Sequence, residues 1–274
     1  MQFASVKGER ATASPGLHGQ CPHCGSVVVS KCGNMKVWHW SHLGKRHCDR
    51  WWEPETEWHR DWKGHFPTDW HEVGHVAPDG ERHVADIKAP HGIVIEFQHS
   101  AIADVERTSR TTFYGNMVWV VSGLRRMRDR PRFLKWRHDL RGDDRAMWSL
   151  DFPEEVLPRE WLDCQAPVFF DFGREQAIEP GDPVPRATKL WCLLPRTPND
   201  GKFASRLLVQ ISVSDFIANA HTGHPMPNWA DIPRQLAEAR RQAQIAAEKE
   251  AHEQMKRQRQ YRWARRNAIM GRRL

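Results

Sequence analysis

An α/β fold is predicted for the middle of this chain on three observations: a helix pattern at 54–66, three strand patterns ending in IVIEFQ at 93–98, and a helix followed by a strand over 100–123. In PETEWHRDWKGHF, Pro54 suits a first helical turn. Glu55, His59 and Lys63 stand four apart, which puts them on one helix face, and Glu57 lies off it. Asp79-Gly80 is a hairpin signal between WHEVGHV and ERHVADIKA. SAIADVERTSRTTFY, at 100–114, has helical composition, and MVWVVSG from Met117 is apolar enough for a buried strand.

The flanks read differently. Residues 1–20 show no period and suggest a loose leader or an edge strand. A compact Cys/His-rich unit follows, to about residue 50. After the 51–123 core, RRMRDRPRFLKWRHDL is basic with a proline break, while APVFFDFG, KLWCLLP and FASRLLVQISVSDF read as strands of a β-rich accessory region over 124–232. From 233 to 274 the sequence predicts a basic helical tail with few large apolar residues.

With 274 residues, 39% of them hydrophobic, the chain holds enough apolar material for a real core, which excludes a mainly disordered protein. No apolar stretch of about 18 residues appears, and the first residues lack a signal-peptide core, so a cytoplasmic protein with no membrane partner is expected. The net charge of +7 is concentrated in the tail. From Arg234 to Leu274 twelve Lys or Arg face four Asp or Glu, which leaves the body nearly neutral. Lys256, Arg257, Arg259 and Arg262, with Arg265 and Arg266, would make a cationic helix suited to a phosphate backbone or to a protein partner.

Two groups of residues carry chemistry. Along IVIEFQ the side chains alternate, so Glu96 and Gln98 emerge on one face and Ile95 and Phe97 on the other. A carboxylate inside an apolar strand costs several kcal/mol, to order of magnitude, unless paired or metal-bound. Asp86, at the end of the preceding strand, is its expected neighbour, and Mg²⁺ or Mn²⁺ prefers such hard oxygens. Two readings compete: a salt bridge in which Lys63, Arg82 or Lys88 neutralises the acids, and the solvated face of an edge strand with Asp86 in a turn. The second group starts at Cys21-x-x-Cys24, which has metal-ligand spacing. Cys21, Cys24, His42 and Cys48 form the expected zinc set, with His39 or Cys32 as substitutes, and Cys164 and Cys192 read as small core residues. Trp38, Trp40, Trp51, Trp52, Trp58, Trp62 and Trp70 crowd the same region, either as core rings or as base-stacking surfaces.

The linked set CPHCG at 21–25, HWSH at 39–42, ETEWHRDWK at 55–63, RHVADI at 82–87, IEFQHSAI at 95–102 and RTTFY then VWVV within 110–121 resembles the competence protein CoiA-like nucleases. The resemblance covers about the first 125 residues. It implies a restriction-endonuclease-like, PD-(D/E)xK core and DNA processing, in that family tied to incoming DNA during transformation. Carried over residue by residue, it puts Asp86, Glu96 and Gln98 at the D…(D/E)xK signature and Glu55 at the acid of an E-(S/T)-x-x-H helix. Gln98 stands where the superfamily has lysine. Glutamine can orient water but supplies no charge, so activation would rest on the metal, His59 or Lys63. Arg110 reads as a phosphate clamp with Tyr114 beside it. The expected activity is a Mg²⁺- or Mn²⁺-dependent deoxyribonuclease with a structural zinc. The rival is a non-catalytic nucleic-acid-binding module of the same fold.

Overall fold

The structure, a computed structural model, describes residues 1–44, 55–77, 80–139, 147–174, 186–195, 205–222 and 253–257. Two compact units are distinguished, Met1–His224 and Pro225–Leu274. Within the second, residues 253–257 are helical and exposed; Arg259, Arg262, Arg265 and Arg266 lie outside the described residues.

The first unit begins with a five-stranded antiparallel sheet of β1 (Phe3–Val6), β2 (Glu9–Thr12), β3 (His18–Gln20), β4 (Val27–Lys31) and β5 (His39–His42), in the order β2-β1-β3-β4-β5. Residues 1–20 are therefore three paired strands and not a loose leader. Lys7 and Gly8 both have positive φ, 53° and 86°, the backbone of a two-residue hairpin turn. Lysine there is an uncommon turn signal, which hides the hairpin from a reading of composition. Ala4, Val28 and Trp40 form the small core of this sheet, together with Cys21.

Next come α1 (Glu57–Lys63), β6 (His71–Val76), β7 (Arg82–Lys88), β8 (Val94–Gln98), α2 (Asp104–Tyr114) and β9 (Met117–Ser122), the helix, three strands, helix and strand of the sequence pattern. The chain continues with α3 (Asp129–Asp139), β10 (Met147–Leu150), β11 (Val168–Asp171), β12 (Lys189–Leu193), β13 (Arg206–Ser212) and α4 (Val213–Thr222). One eight-stranded sheet joins them in the order β10-β13-β12-β11-β9-β8-β7-β6, with β8–β9 and β9–β11 parallel and the other pairs antiparallel. The accessory strands thus extend the same sheet across residue 123.

Every residue of β8, β9 and β11 is buried, as expected of strands covered on both faces. On one face Trp62 of α1 stacks on Phe97 and meets Phe216 of α4, which also packs on Phe169. On the other, Trp119 bonds Thr111 of α2, and Phe133 of α3 stacks on Phe172 at 4.0 Å. Cys164 and Cys192 are buried. Pro131 falls in the first turn of α3, where its missing N–H breaks no helical bond. The ISVSDF segment, read as strand, turns to helix because the Ser212 hydroxyl accepts the Asp215 N–H at 3.0 Å and caps α4.

Candidate functional site

Thr56 caps α1, and its side chain accepts the His59 N–H while His59 Nδ1 accepts the Thr56 N–H at 3.2 Å, a reciprocal capping box. The helix therefore starts at Glu57, and Glu55 precedes the cap. Glu55 does not share a helix face with His59 and Lys63. Its carboxylate instead folds back to Lys63 Nζ at 3.3 Å and Arg60 Nη2 at 3.2 Å. With Nδ1 accepting, the His59 proton sits on Nε2, which makes the outer nitrogen a donor.

Lys63 is 3% exposed, too enclosed for water to replace its partners. Its ammonium lies 3.0 Å from Asp86 Oδ1, 3.3 Å from Glu55 Oε1 and 3.7 Å from Glu72 Oε1. Asp86 reaches this point because β7 and β8 pair only at Ile87↔Ile95 and Lys88↔Val94. At the following position Asp86 Oδ2 takes the Phe97 N–H at 3.0 Å, so the carboxylate fills the gap where the strands part.

Glu72 is a residue the sequence reading missed. It has φ 51° inside β6, and its carboxylate accepts the Gln2 and Phe3 N–H groups at 2.7 and 3.2 Å, tying the small sheet to the large one. Its signal was weak, since one acid in a half-polar strand looks like solvated edge. At the same junction Gly74 makes room for His23: a Cβ there would lie 2.6 Å from His23 Nδ1, so the ring would have to move.

The electrostatics follow from this crowding. Burial acts to raise the carboxyls of Glu55, Glu72 and Asp86, but the Lys63 ammonium, helped by the N-terminal ammonium at the two glutamates, by Arg60 at Glu55 and by backbone N–H groups at Glu72 and Asp86, holds all three below the ordinary range. Burial acts to lower Lys63, and its three carboxylates carry it well above an ordinary lysine instead. His59 falls to about 4, mainly by burial, and is neutral at pH 7.

Glu96 is buried elsewhere in the site. Its Oε2 lies 2.9 Å from Arg110 Nη1, and Arg110 Nε is 3.6 Å from Glu106. The expected ligand set of Glu55, Asp86 and Glu96 is thus divided between two ion-pair groups, one around Lys63 and one around Arg110. Gln98 donates its amide to the Ser100 carbonyl at 3.2 Å. Tyr114 packs edge-on against His75 and lies beside His83. Asp171 was also missed: its Oδ2 accepts both indole N–H groups of α1, Trp58 at 2.9 Å and Trp62 at 3.0 Å. The argument applied to Glu96, an acid within an apolar strand, would have flagged it in VFFDFG.

Among the described residues, one group of three His, Cys, Asp or Glu ligand atoms lies mutually within 4.8 Å: Cys21, Cys24 and His42. The turn that builds it is local. Gly25, at φ 71°, donates its N–H to the Cys21 carbonyl, and the Cys21 N–H returns to Ser26. β5 then brings His42 Nε2 to 3.4 Å from Cys24 Sγ. That is close to the edge of roughly 3.5 Å expected between sulfur and nitrogen on one tetrahedral zinc. Neither His39, which faces the Val37 carbonyl at 2.9 Å, nor Cys32 belongs to the cluster. Cys48 lies outside the described residues, as do Trp51 and Trp52.

No protein-family model, curated protein or solved structure matches the chain. No helix among the described residues is long and apolar enough to cross a membrane.

Proposed function

We propose that this chain is a metal-dependent nuclease that hydrolyses DNA phosphodiester bonds on a PD-(D/E)xK, CoiA-like core, in competence, recombination or defence. One observation carries the reading: where β7 and β8 part, Asp86, Glu55 and Glu72 converge on the buried Lys63 beside a neutral His59. The order of helix, three antiparallel strands, helix and parallel strand supports it.

Three carboxylates around one ammonium are the hard-oxygen type of donor that Mg²⁺ or Mn²⁺ prefers, and since their oxygens are not mutually within 4.8 Å an ion would have to draw them together. Asp86 and Glu55 would hold the ion, while Glu96, the third ligand expected from the sequence, stands with Arg110 on the α2 face of β8. Once bound, the ion would acidify a water and stabilise charge on the phosphorus oxygens. Lys63 supplies the positive charge that Gln98 lacks at the signature position, and it is already aimed at Asp86. Arg110, paired with Glu96 at 2.9 Å, has the guanidinium fork suited to a phosphate. His59 Nε2–H donates to a phosphate oxygen or leaving group, a role its tautomer allows and general-base work does not. Gln98 keeps its amide nitrogen on Ser100 and offers its oxygen to the attacking water.

A structural zinc on Cys21, Cys24 and His42, completed by Cys48, fits the spacing of the cluster. In the tail, the exposed Lys256 and Arg257 suit backbone phosphates or a protein partner.

The purified chain is expected to cut single- or double-stranded DNA with Mn²⁺ and to lose that activity in Asp86→Asn and Glu96→Gln. The buried Glu96–Arg110 pair favours a second reading, a nucleic-acid-binding module of the same fold without catalysis. Wild type and Asp86→Asn that are equally inert and bind DNA equally would establish that reading instead.

A further inference from the structure

The hairpin joining β4 to β5 is long, running over residues 32–38, and it stands out from the small sheet. Met35 at its tip is 95% exposed and Trp38 is 45% exposed, so two large apolar side chains face solvent on a loop with lysines at 31 and 36, both exposed. Concavities flank the loop on both sides. One, of about 580 Å³, lies between the loop and the start of α1 and is lined by Met35, Lys36, Trp38, Glu55 and Glu57. The other, of about 500 Å³, shares Met35 and Lys36 and adds Lys31. Both fall within the roughly 300–1,000 Å³ of small-ligand sites.

The larger concavity reaches the acidic group. Glu55 lines it and also contacts Lys63 at 3.3 Å. Arg60 fastens the loop to the helix, since its guanidinium donates to the Trp38 carbonyl and pairs with Glu55. The backbone at Trp38 is therefore tied to the helix that carries Lys63.

We propose that this concavity seats an unpaired nucleic-acid strand, with one base stacked on Trp38 and the backbone running past Lys36 and Lys31. The choice of occupant rests on the nuclease reading, and the local chemistry narrows it. An exposed indole in a cavity is a stacking platform, and flanking lysines track phosphates without sequence preference. A duplex keeps its base faces stacked internally and offers such an indole nothing except at its ends. Glu55 and Glu57 on the wall repel phosphate, which keeps the backbone on the lysine side.

The test is fluorescence anisotropy of the full-length protein with a labelled phosphorothioate oligothymidylate and with the same strand in a blunt duplex, without added divalent metal. Trp38→Ala is expected to weaken single-strand binding on the order of tenfold. It should leave duplex binding unchanged, and Trp38→Phe should retain the affinity. Lys36→Glu should weaken single-strand binding and flatten its salt dependence. Trp38→Ala binding as wild type, an equal loss for strand and duplex, or no single-strand binding by wild type would each overturn the proposal. A protein inert with Mn²⁺ that still binds single strands through Trp38 would refute catalysis and leave this site standing.

Discussion

Replacing Lys63 by methionine tests the centre of the site without changing side-chain length much. The substitution leaves Glu55, Glu72 and the half-buried Asp86 around a missing cation. Removing one partner of a buried ion pair costs about 3–5 kcal/mol. For a unit of this size that is a fall in Tm on the order of 10 °C. In wild type the three carboxyls sit below their ordinary range, so their contribution is present above the unfolded carboxylate pKa and is lost as pH falls through the folded values. Lys63 sits above its ordinary value, so its contribution is complete below the unfolded lysine pKa and fades only as pH rises beyond it. At pH 7 both are fully expressed. In Lys63→Met burial still raises the carboxyls and, without the Lys63 ammonium, is opposed by Arg60, the N-terminal ammonium and the backbone N–H groups, so the deficit is largest at neutral pH and shrinks toward pH 4 as the carboxyls take up protons. Urea unfolding of the two proteins at pH 7 and pH 4, followed by far-UV circular dichroism, measures both numbers. Mn²⁺ should also raise the Tm of Lys63→Met more than that of wild type, because an added cation can take the place of the lost ammonium. A deficit under about 1 kcal/mol at pH 7, or one that does not change with pH, would refute the ion network as drawn.

Other consequences follow from the same geometry. His59, buried and neutral with its pKa at about 4, adds stability that is complete above its unfolded pKa of 6.5 and declines as pH falls toward 4; His59→Gln should flatten the stability profile across that window in urea titrations. Prolonged dialysis against a zinc chelator should lower the Tm of wild type by several degrees, while Cys24→Ser should already have lost bound metal by elemental analysis and should not respond. Asp171→Leu strands two buried indole N–H groups and should cost about 2–4 kcal/mol, whereas Asp171→Asn, which keeps an acceptor oxygen, should cost less; equal losses in thermal melts would exclude the indole bonds as the cause. Gly74→Ala should destabilise the junction of the two sheets, and adding His23→Ala should restore part of the loss if the contact with His23 is the reason.

Periodicity made the central elements legible. The run from Glu57 to Ser122 follows the alternation and turn signals read along the chain, because there each strand's apolar pattern agrees with what it packs against. The first three strands escaped notice because their hairpin turns through Lys7, a residue with no turn preference, and because strands this short bury few side chains. Within the site, spacing located Asp86, Glu96, Lys63 and the Cys21, Cys24, His42 cluster but could not say which acid meets which base. The Thr56 cap moved Glu55 off the helix face, and Arg110 took Glu96. Glu72 and Asp171 depend on contacts across 69 to 113 residues of chain, which no local pattern encodes.

The cost of the arrangement bears on its purpose. A buried ion pair is a weak way to stabilise a fold, since apolar residues of similar volume often do as well or better. Here one ammonium serves three carboxylates, and one of those acids is held at φ 51°, a strain on the order of 1–3 kcal/mol for a residue with a side chain. Trp58 and Trp62 spend their indole N–H groups on Asp171, which pins the helix carrying Lys63 over the gap between β7 and β8. Stability alone would favour apolar residues at 55, 63, 72 and 86 together, with closed strands beneath them. A positive charge held rigidly among hard oxygen donors at a strand opening suits phosphoryl chemistry, and on that ground we propose a nuclease over a purely structural ion network.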